Sequence, residues 1–477
     1  MSTTTQTAAT AYSMTIDGVA VPAASTYPVI DPATCRVVGE APDCTREQLD
    51  AAVAAARRAQ PGWAVLPVAD RRRYLRTIAE VIDANAGELA RLVTLEQGKP
   101  LAAATGEVAG LGHWLRETAA LDLPVTVNQD DAERRSITRH VPLGVVAAIT
   151  PWNYPMGQLS FKLGPALLAG NTVIVKPSTF TPLSALRLGE LLRDVLPAGV
   201  VNVVTGADGL GPWVTRHPGI DKISFTGSTR TGRDVMAGAG ASLTRVTLEL
   251  GGNDPAIVLP DVDVDQVAEQ LFWGAFGNAG QICLATKRLY LHADVYDRIA
   301  ARMVDLAERV TVGNGLDEGV LIGPISNRRQ YDTVVDLLRD SRDRGHEILT
   351  GGLPEDEPDG LFLRPTLIGD PPENARIVQE EQFGPVLPLL RFHDVEDAVA
   401  RANASEYGLG ASVWSADPDA ALAVAERLQA GTVWVNEIMH LSPLVPFGGL
   451  KQSGVGVESG QAGLLEFTER QTVTVRR

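Results

Sequence analysis

Cysteine is scarce in this sequence, which has three in 477 residues: Cys35, Cys44 and Cys283. Three cysteines cannot build the disulfide framework typical of small secreted domains. Neither Cys35 nor Cys44 lies at a spacing to the scattered histidines that is typical of zinc ligands. We therefore expect a reducing, cytoplasmic compartment and no metal site.

Positive charge and long apolar runs are scarce as well. Lysine and arginine number 42 against 58 acidic residues, which gives a formal net charge of −16. Such a surface argues against a nucleic-acid or anionic-membrane partner. No uncharged apolar run reaches transmembrane length, and the polar, threonine-rich residues 1–10 lack the features of a signal peptide. The sequence predicts a soluble protein whose residues 1 to about 13 form a disordered tail.

The length, which suggests two or three domains, is filled by an alternation of strand and helix patterns. A capping-box pattern at residues 45–48 predicts an alanine-rich helix that ends near Pro61. Further along, apolar runs over residues 145–149 and 172–175 alternate with helical patterns over 157–169 and 182–195. Continuous apolar runs of this kind are typical of strands buried in a parallel sheet. The pattern predicts an α/β fold.

A glycine turn follows the strand predicted at residues 223–225. It reads Thr226-Gly227-Ser228-Thr229-Arg230-Thr231-Gly232 and opens a helix. A strand, glycine turn and helix in this order can hold a pyrophosphate at the helix N-terminus. The spacing Gly-x-x-x-x-Gly departs from the usual dinucleotide fingerprint, so a plain βα turn is the alternative.

Three separate motifs carry groups suited to covalent catalysis. Cys283 ends a glycine-punctuated loop, Glu249 precedes a Leu-Gly-Gly turn, and Asn153 lies in Pro-Trp-Asn-Tyr-Pro. A thiol nucleophile, a carboxylate that activates water and an amide donor are the parts needed to make and hydrolyse a thioester. The alternatives are a buried apolar cysteine, an acid in a structural ion pair and an amide that caps a turn.

These motifs occur in the order and at the spacing of the aldehyde dehydrogenase superfamily, which the chain resembles from about residue 15 to its C-terminus. The resemblance implies a Rossmann-type cofactor domain of residues 1–123 and 143–251 and an α/β catalytic domain of residues 252–453. It also implies a small β oligomerisation element of residues 124–142 and 468–477. A homodimer or homotetramer is expected on the same ground.

The resemblance implies a two-stage oxidation of an aldehyde to the acid. Cys283 attacks the carbonyl, Asn153 and the backbone N–H of Cys283 hold the oxyanion, and a hydride passes to the nicotinamide. Glu249 then activates the water that hydrolyses the thioester. A coenzyme A-acylating enzyme is one alternative, against which Glu249 argues. The other is a non-catalytic binding protein, which would be expected to lose its nucleophile or base first.

The residues that match the family's cofactor site include one departure. Thr179 lies where NAD-preferring members typically have glutamate, which binds the ribose and repels a 2′-phosphate. No arginine adjoins Thr179 in the sequence to bind a 2′-phosphate, and Lys176 is the only nearby cation. We therefore expect NAD to be the better coenzyme, with measurable NADP use. Glu381 and Phe383 match the family motif that contacts the nicotinamide ribose. The alternative is that Glu381 is only a surface acid and Phe383 only a core aromatic residue. The implied cofactor residues are Thr150, Pro151, Trp152, Lys176, Ser178, Thr179, Gly227, Ser228, Leu250, Glu381 and Phe383.

The residues that match the family's substrate pocket are apolar or aromatic apart from one glycine. They are Tyr154, Gly157, Phe161, Ile282, Leu284, Leu441 and Phe447, with Met439 less securely placed. None is an arginine, which a carboxylate- or phosphate-bearing aldehyde would favour. Gly157 is expected to leave room for substrate. The composition favours an uncharged, medium-sized aliphatic or aromatic aldehyde, such as an arylacetaldehyde. Lys162 matches a family lysine near the oxyanion, with a structural role equally open.

Overall fold

The computed structural model describes residues 12–354 and 359–477. The tail predicted for residues 1 to about 13 lies outside this range except for its last two residues. The strands are β1 (Met14–Ile16), β2 (Val19–Val21), β3 (Thr26–Asp31), β4 (Arg36–Pro42), β5 (Val125–Asp130), β6 (Arg134–Pro142), β7 (Val145–Ile149), β8 (Thr172–Lys176), β9 (Val201–Val203), β10 (Lys222–Thr226), β11 (Arg245–Glu249), β12 (Asp254–Val258), β13 (Thr286–His292), β14 (Glu347–Thr350), β15 (Thr366–Gly369), β16 (Val386–Phe392), β17 (Tyr407–Gly408), β18 (Gly410–Trp414), β19 (Thr432–Val435), β20 (Leu450–Lys451), β21 (Gly454–Val455) and β22 (Thr468–Arg476).

Helices separate most of these strands, as the alternation in the sequence predicts. They are α1 (Arg46–Ala64), α2 (Val68–Ala84), α3 (Ala86–Gln97), α4 (Leu101–Thr118), α5 (Gly157–Ala169), α6 (Leu183–Leu191), α7 (Leu210–Thr215), α8 (Thr229–Gly240), α9 (Val264–Phe276), α10 (Ala293–Arg309), α11 (Arg328–Asp343), α12 (Arg376–Gln379), α13 (Val395–Asn403), α14 (Pro418–Ala425) and α15 (Gly460–Leu465). Within the described ranges, none of them combines the length and apolarity needed to cross a membrane.

The first large sheet has eight strands in the order β2-β1-β9-β8-β7-β10-β11-β21. Strands β7 to β11 are mutually parallel, and every residue of β7, β8 and β10 is buried. Burial on both faces is why these strands appear in the sequence as unbroken apolar runs. The chain order reverses between β7 and β10, which is where doubly wound sheets bind their ligands. The prediction of a Rossmann-type unit is confirmed.

The second large sheet has seven strands in the order β14-β15-β16-β13-β12-β18-β19. All are parallel to their neighbours except β14, which runs antiparallel to β15. Side chains of α9 and α10 belong to the apolar core on one face, and those of α11, α13 and α14 to the core on the other. This second layered unit carries the segment that leads into Cys283.

A three-stranded antiparallel sheet joins β22 to β6 and β6 to β5. Its pairing runs from Thr468 opposite Pro142 to Arg476 opposite Arg134. The structure therefore shows the predicted union of the hairpin with the C-terminal strand. Every residue of β5 is exposed, as is most of β22. The exact limits given above for the three domains remain a prediction.

Two helix ends differ from the sequence-based expectation. Helix α1 continues through Pro61 to Ala64, where the backbone N–H of Val65 donates to the Pro61 carbonyl at 3.3 Å. A proline near a helix end removes one hydrogen bond, and burial of Trp63 accompanies the extra turn. Helix α6 ends at Leu191, four residues earlier than its apolar pattern predicts.

Candidate active site

The three groups singled out in the sequence converge on one cavity of about 160 Å³. Glu249 is the last residue of β11, Asn153 lies between β7 and α5, and Cys283 lies between a 3₁₀ turn and β13. Their exposed fractions are 2%, 4% and 7% respectively. A carboxyl, an amide and a thiol from three distant segments thus face the same buried space.

Glu249 is a buried acid that lies next to the thiol of Cys283. Within the described residues, neither of its carboxylate oxygens has a well-formed hydrogen bond. Burial raises the pKa of Glu249 to about 8, and the negative charge of Glu458 adds to this, while the nearby Cys283 thiol and Lys162 oppose it. A carboxyl group with a pKa near neutrality is well suited to take and release a proton.

The surroundings of the Cys283 thiol disfavour its thiolate form. Burial raises its pKa well above the ordinary value, and the adjacent Glu249 raises it further. Lys287 acts in the opposite direction. The thiol therefore needs a base to become a nucleophile, and Glu249 faces it.

The turn before Cys283 has an unusual backbone. Asn278, Ala279 and Gly280 have consecutive positive φ angles of 50°, 55° and 70°. A Cβ atom at Gly280 would lie 2.2 Å from the carbonyl oxygen of Gly384, so only glycine is accommodated there. Non-glycine residues in this region cost about 1–3 kcal/mol each and persist only where surrounding contacts hold them.

Gln281 provides such contacts for the turn. Its Nε2 donates to the Asn278 carbonyl at 2.9 Å, and its Oε1 accepts from the backbone N–H of Ser326 at 2.8 Å. Gln281 is fully buried. The glutamine beside the cysteine is therefore a structural brace, a role that its position in the sequence does not reveal.

The side chain of Asn153 is oriented by the loop of residues 277–285, which carries Cys283 and is called the cysteine loop below. Its Nδ2 donates to the carbonyl of Gln281 at 2.9 Å. An amide nitrogen carries two N–H groups, so a second one is available for another acceptor. This arrangement fixes the rotamer of Asn153 while leaving it a donor.

A buried ion pair holds the loop that carries Asn153. Lys99 Nζ lies 2.5 Å from Glu107 Oε2, and both side chains are 1% exposed. Lys99 also donates to the Asn153 carbonyl at 2.9 Å, and Glu107 Oε1 accepts from the backbone N–H groups of Met156 and Gly157, each at 2.9 Å. Sequence analysis missed this pair, because both residues lie in the N-terminal helical region, more than forty positions before the loop.

Lys162 makes a second buried ion pair at the opposite side of the site. Its Nζ lies 2.6 Å from Glu458 Oε1 and donates to Thr226 Oγ1 at 2.8 Å. Both members act on the pKa of Glu249, in opposite directions. Glu458 lies outside every motif recognised in the sequence, and no local signal identifies it.

The residues predicted to bind the cofactor line two adjoining cavities. The larger, of about 480 Å³, is lined by Lys176, Ser178 and Thr179 at one end. The smaller is the 160 Å³ cavity of Cys283, and it adds Leu250, Glu381 and Phe383. Pro151, Trp152, Gly227 and Ser228 line both, and Thr150 lines the larger. The predicted residues therefore form a continuous path that ends at the thiol.

The glycine turn after β10 is built for a close approach. A Cβ atom at Gly227 would lie 2.6 Å from the ring of Phe225, which excludes larger residues. Ser228 caps α8, because its Oγ accepts from the Thr231 N–H at 3.3 Å. Gly227, Ser228 and Thr231, at the start of α8, line the larger cavity. The N-terminus of a helix suits a pyrophosphate.

Two polar side chains of the larger cavity also suit a nucleotide. Thr150 Oγ1 is buried and has no hydrogen-bond partner among the described residues. Burial lowers the pKa of Lys176 to about 8, with Asp208 opposing the shift. Its Nζ donates only to the adjacent Pro177 carbonyl at 3.1 Å among the bonds within the described part of the chain. These groups can bond to ribose hydroxyls and phosphate, so the site fits a dinucleotide.

Two arginines also line the larger cavity. Arg216 and Arg329 share it with Thr179. The sequence around Thr179 contains only Lys176 as a nearby cation, so this positive charge was not expected. The arginines come from the end of α7 and the start of α11, and only the fold brings them to the cavity.

Glu381 and Phe383 lie beside the thiol cavity. Glu381 Oε1 accepts from the backbone N–H of Gly252 at 3.1 Å and lies 3.8 Å from Lys287 Nζ. The ring of Phe383 packs edge-on against Trp152 with 5.2 Å between centroids. Both side chains are only partly buried, so each retains a surface towards the cavity.

The predicted substrate residues fall into two groups. Ile282, Leu284, Leu441 and Phe447 pack in one apolar cluster with Cys283, and Met439 joins them. Tyr154, Gly157 and Phe161 lie on the α5 side, where Phe161 packs edge-on against Trp114 at 5.7 Å.

The space at Gly157 could hold a Cβ atom, and whether it serves the substrate stays a prediction. A Cβ atom there would lie 3.4 Å from Glu107 Cγ and 3.5 Å from Tyr154 Cβ. Those are ordinary contact distances, so Glu107 and Tyr154 already border this space.

The doubly wound sheet, its cavity at the strand reversal and the thiol at the end of that cavity place the chain among nucleotide-linked α/β enzymes. Comparison with known proteins is more specific. A model of the aldehyde dehydrogenase family matches residues 20–473. The chain belongs to the aldehyde dehydrogenase family, and the prediction of an aldehyde dehydrogenase is confirmed.

Individual relatives agree with this assignment. The chain is 41% identical to a phenylacetaldehyde dehydrogenase of Pseudomonas fluorescens, over 94% of this chain and 92% of the relative. It is 40% identical to the NADP(+) succinate-semialdehyde dehydrogenase of Escherichia coli, over 92% of each. A solved NAD+ complex of an aldehyde dehydrogenase from Bacillus cereus superposes with a TM-score of 0.96 at 36% identity, over 98% of this chain and 97% of that chain.

Proposed function

We propose that this protein oxidises an uncharged, medium-sized aldehyde to its carboxylic acid, with NAD or NADP as the oxidant and a thioester on Cys283 as the intermediate. One observation carries the proposal. Cys283, Glu249 and Asn153 line a single cavity that continues into the cavity of the predicted cofactor residues. A nucleophile, a base and an oxyanion donor thereby meet at the end of a nucleotide path.

In the first half-reaction, the thiol of Cys283 loses its proton to Glu249 and its sulfur attacks the aldehyde carbon. The second N–H of the Asn153 amide donates to the oxyanion that forms. One such donor contributes roughly 3–4 kcal/mol in comparable oxyanion holes. The nicotinamide, when bound, accepts the hydride that leaves this carbon.

Before the second half-reaction, Glu249 releases the thiol proton to solvent. It then removes a proton from a water molecule, which attacks the thioester carbonyl. Asn153 again stabilises the oxyanion, and the acid leaves as Glu249 returns this proton to the sulfur of Cys283. The pKa of about 8 makes Glu249 a stronger base than an ordinary carboxylate.

The substrate assignment rests on the apolar cluster around Cys283. Relatives of equal similarity carry the names of an arylacetaldehyde enzyme and of a semialdehyde enzyme, so identity alone does not choose between them. None of the predicted pocket residues is cationic, and a carboxylate would lack a partner there. We therefore favour arylacetaldehydes and medium-length aliphatic aldehydes.

NAD is proposed as the better coenzyme, with measurable NADP use. Thr179 neither attracts the ribose as a carboxylate would nor repels a 2′-phosphate. Arg216 and Arg329 in the same cavity provide positive charge, which favours some NADP use. The relatives also differ in coenzyme. The solved structure from Bacillus cereus is a complex with NAD+, and the enzyme of Escherichia coli is named for NADP(+).

Self-association through the three-stranded sheet is also proposed. Val125, Val127 and Val475 are more than half exposed on its strands. Exposed valines on strands with free edges are typical of surfaces that pair with another chain. Light scattering of the purified protein should show a dimer or tetramer, and a monomer at micromolar concentration would contradict this.

The scarcity of cysteine supports a cytoplasmic setting.

Stopped-flow measurement of NAD(P)H formation tests the chemistry. Glu249→Gln should give at most one turnover of NAD(P)H with phenylacetaldehyde, followed by very slow turnover, because the amide cannot activate water. Glu308→Gln, on the exposed face of α10, is the matched control and should behave as wild type. Normal steady-state turnover by Glu249→Gln would exclude Glu249 as the base.

The same assay separates the rival reactions. Coenzyme A should not change the product, and an acyl-CoA product would favour the acylating alternative. Succinate semialdehyde should give a much lower kcat/KM than phenylacetaldehyde or hexanal. Absence of NAD(P)H with a broad panel of aldehydes would favour a non-catalytic protein.

A further inference from the structure

Lys287 is a buried cation that the proposed reaction does not use. It is the second residue of β13 and is 2% exposed. Its Nζ donates to the carbonyls of Ile282 at 2.9 Å and Cys283 at 2.6 Å. A weaker bond of 3.4 Å reaches the carbonyl of Ala285. The side chain thus folds back from the strand and braces the loop on both sides of the thiol.

No carboxylate is in direct contact with this ammonium group among the described residues. The nearest, Glu381, lies 3.8 Å away, which is beyond hydrogen-bond distance. Asp254, 3% exposed on the neighbouring strand β12, has no well-formed hydrogen bond to either carboxylate oxygen in the described part of the chain, although the backbone of Gly410 is close to it. Burial raises the pKa of Asp254 to about 7, and Lys287 opposes this shift. The charge of Lys287 is therefore supported mainly by carbonyl dipoles and not by a bonded counter-ion.

The surroundings of Cys283 set the sign of the effect. The titratable and charged groups that face it are Glu249 from β11, Asp254 from β12, Lys287 from β13 and the Tyr154 phenol from the Asn153 loop. Burial, Glu249 and Asp254 disfavour the thiolate, and Lys287 alone of these groups favours it. A thiolate next to a buried cation is the usual means of activating a cysteine.

We propose that Lys287 is a positioning residue for Cys283, which fixes the two peptide groups that flank the thiol and supplies the positive charge that supports the thiolate. Asp254 is the opposing charge that limits this support. The inference rests on the proposed role of Cys283 as nucleophile and extends it to the group that prepares the thiol. A lysine near the start of a buried strand is unusual, but the sequence does not show which groups this lysine contacts.

Alkylation of Cys283 by iodoacetamide across pH 7–11 tests the proposal without substrate or cofactor, and the range reaches above the ordinary pKa of a thiol because the pKa of Cys283 is raised. A Cys35→Ala/Cys44→Ala background leaves Cys283 as the reactive thiol. In Lys287→Met the midpoint of the alkylation profile should move up by about one pH unit, with roughly tenfold slower alkylation at pH 7. Lys287→Arg should keep the midpoint near that of wild type, because it keeps the charge.

Asp254→Asn is the opposite test on the same group. Loss of the opposing charge should move the midpoint down, and this variant carries the test if Lys287→Met does not fold. Repeating the series with Glu249→Gln removes the other titrating neighbour and should preserve both directions of shift. Unchanged midpoints in the Lys287 and Asp254 variants, or an equal shift in Lys287→Arg and Lys287→Met, would overturn the proposal.

Failure of this inference is distinguishable from failure of the proposed function. Retention of aldehyde oxidation by Cys283→Ala would remove the nucleophile assignment, whatever the alkylation profiles show. Loss of oxidation in Cys283→Ala with no pH shift in Lys287→Met would keep the function and remove the role of Lys287. A lowered kcat with little change in KM is expected for Lys287→Met if both hold.

Discussion

Two buried lysines brace the two loops that meet at the active site, and their charges are balanced differently. Lys99, under the Asn153 loop, lies 2.5 Å from Glu107. Lys287, under the cysteine loop, bonds to carbonyl oxygens and has its nearest carboxylate at 3.8 Å. A closely paired charge has little field beyond its partner, whereas a charge held by dipoles still acts on its neighbours. Lys99 therefore fixes the position of the Asn153 loop. Lys287 fixes the loop of Cys283 and, in the role proposed above, also supports the thiolate.

The acids of the site differ in the same way. Glu107 bonds to Lys99 and to two backbone N–H groups. Glu249 has no well-formed hydrogen bond within the described residues, and its pKa is raised to about 8. Unpartnered buried acids are costly to the fold and are typical of groups that transfer protons. Within the described residues, the acid under the Asn153 loop is thus paired with a cation, and the acid that faces Cys283 is not.

The largest effect is expected from the thiol to which both loops are directed. Cys283→Ala should lower kcat by roughly 10⁴-fold or more, because a methyl group cannot form the covalent intermediate. Titration of NAD binding should remain as in wild type. The matched controls Cys35→Ala and Cys44→Ala should keep nearly full activity, since both lie outside the site. Turnover by Cys283→Ala comparable to that of wild type would show that Cys283 is not the nucleophile.

Loss of one member of the Lys99–Glu107 ion pair should mainly lower the free energy of unfolding. Lys99→Met leaves Glu107 buried without its partner, which typically costs about 3–5 kcal/mol. Lys99→Met/Glu107→Gln should recover much of this loss, because the neutral amide oxygen can still accept from the Met156 and Gly157 N–H groups. It should not recover kcat, because the Asn153 carbonyl still lacks its donor. Urea unfolding and steady-state kinetics measure the two effects.

The same measurement on Lys287→Met sharpens the contrast. Its loss leaves carbonyl groups and not a bonded carboxylate, so the cost should be smaller, about 1–3 kcal/mol. Equal destabilisation by the two lysine substitutions would show that they are balanced alike.

A smaller effect is expected in the pH dependence of stability. Between its ordinary pKa of 4.5 and the raised value of about 8, Glu249 retains in the folded state a proton that the unfolded state has released. It therefore destabilises the fold progressively as pH rises from about 4.5 to 8, and fully above 8. Glu249→Gln should melt like wild type at pH 4.5 and higher by about 2 °C or more at pH 8.5.

Calorimetry at a series of pH values, with Glu308→Gln as the control, checks this sign. A melting difference that is constant from pH 4.5 to 8.5 would mean that the pKa of Glu249 is ordinary. The rate of thioester hydrolysis in wild type should rise over pH 7–9, as the basic form of Glu249 increases.

The smallest effect is expected at the partly exposed end of the cofactor cavity. Thr179→Glu places a charge where solvent reaches it, so stability should hardly change. The ratio of kcat/KM for NAD to that for NADP should rise by about tenfold, since the carboxylate attracts the ribose and repels a 2′-phosphate. Arg216→Ala and Arg329→Ala should lower NADP use alone.

Two outcomes would contradict the cofactor prediction. One is an advantage of NADP over NAD of about a hundredfold in wild type, or about 2.7 kcal/mol. The other is an NAD-to-NADP ratio that Thr179→Glu does not change.

Local patterns were sufficient for much of the fold. The burial of β7 and β8 on both faces follows from their unbroken apolar runs, and the start of α1 from its capping box at Thr45. The terminal strand β22 was also recognised, because its β-branched residues and the hairpin of β5 and β6 match a known arrangement. These features depend on residues close together in sequence or on motifs with fixed spacing.

The partners of buried charges were beyond the sequence. Glu107 for Lys99, Glu458 for Lys162 and the carbonyls of the cysteine loop for Lys287 are specified by packing between distant segments. Likewise, the space at Gly157 is bordered by a side chain of α4, which no residue near Gly157 indicates.

By itself, the sequence determined the family, the alternation of strands and helices, and the three groups suited to thioester chemistry. The tertiary structure alone decided which of the buried charges are neutralised and which remain free to act, because that depends on distances across the fold. Burial in the packed structure raises the pKa of Glu249, and the same packing places Lys287 next to the loop of Cys283. Residue identity names the chemical groups, and the dielectric and charge environment that the packing creates sets their reactivity.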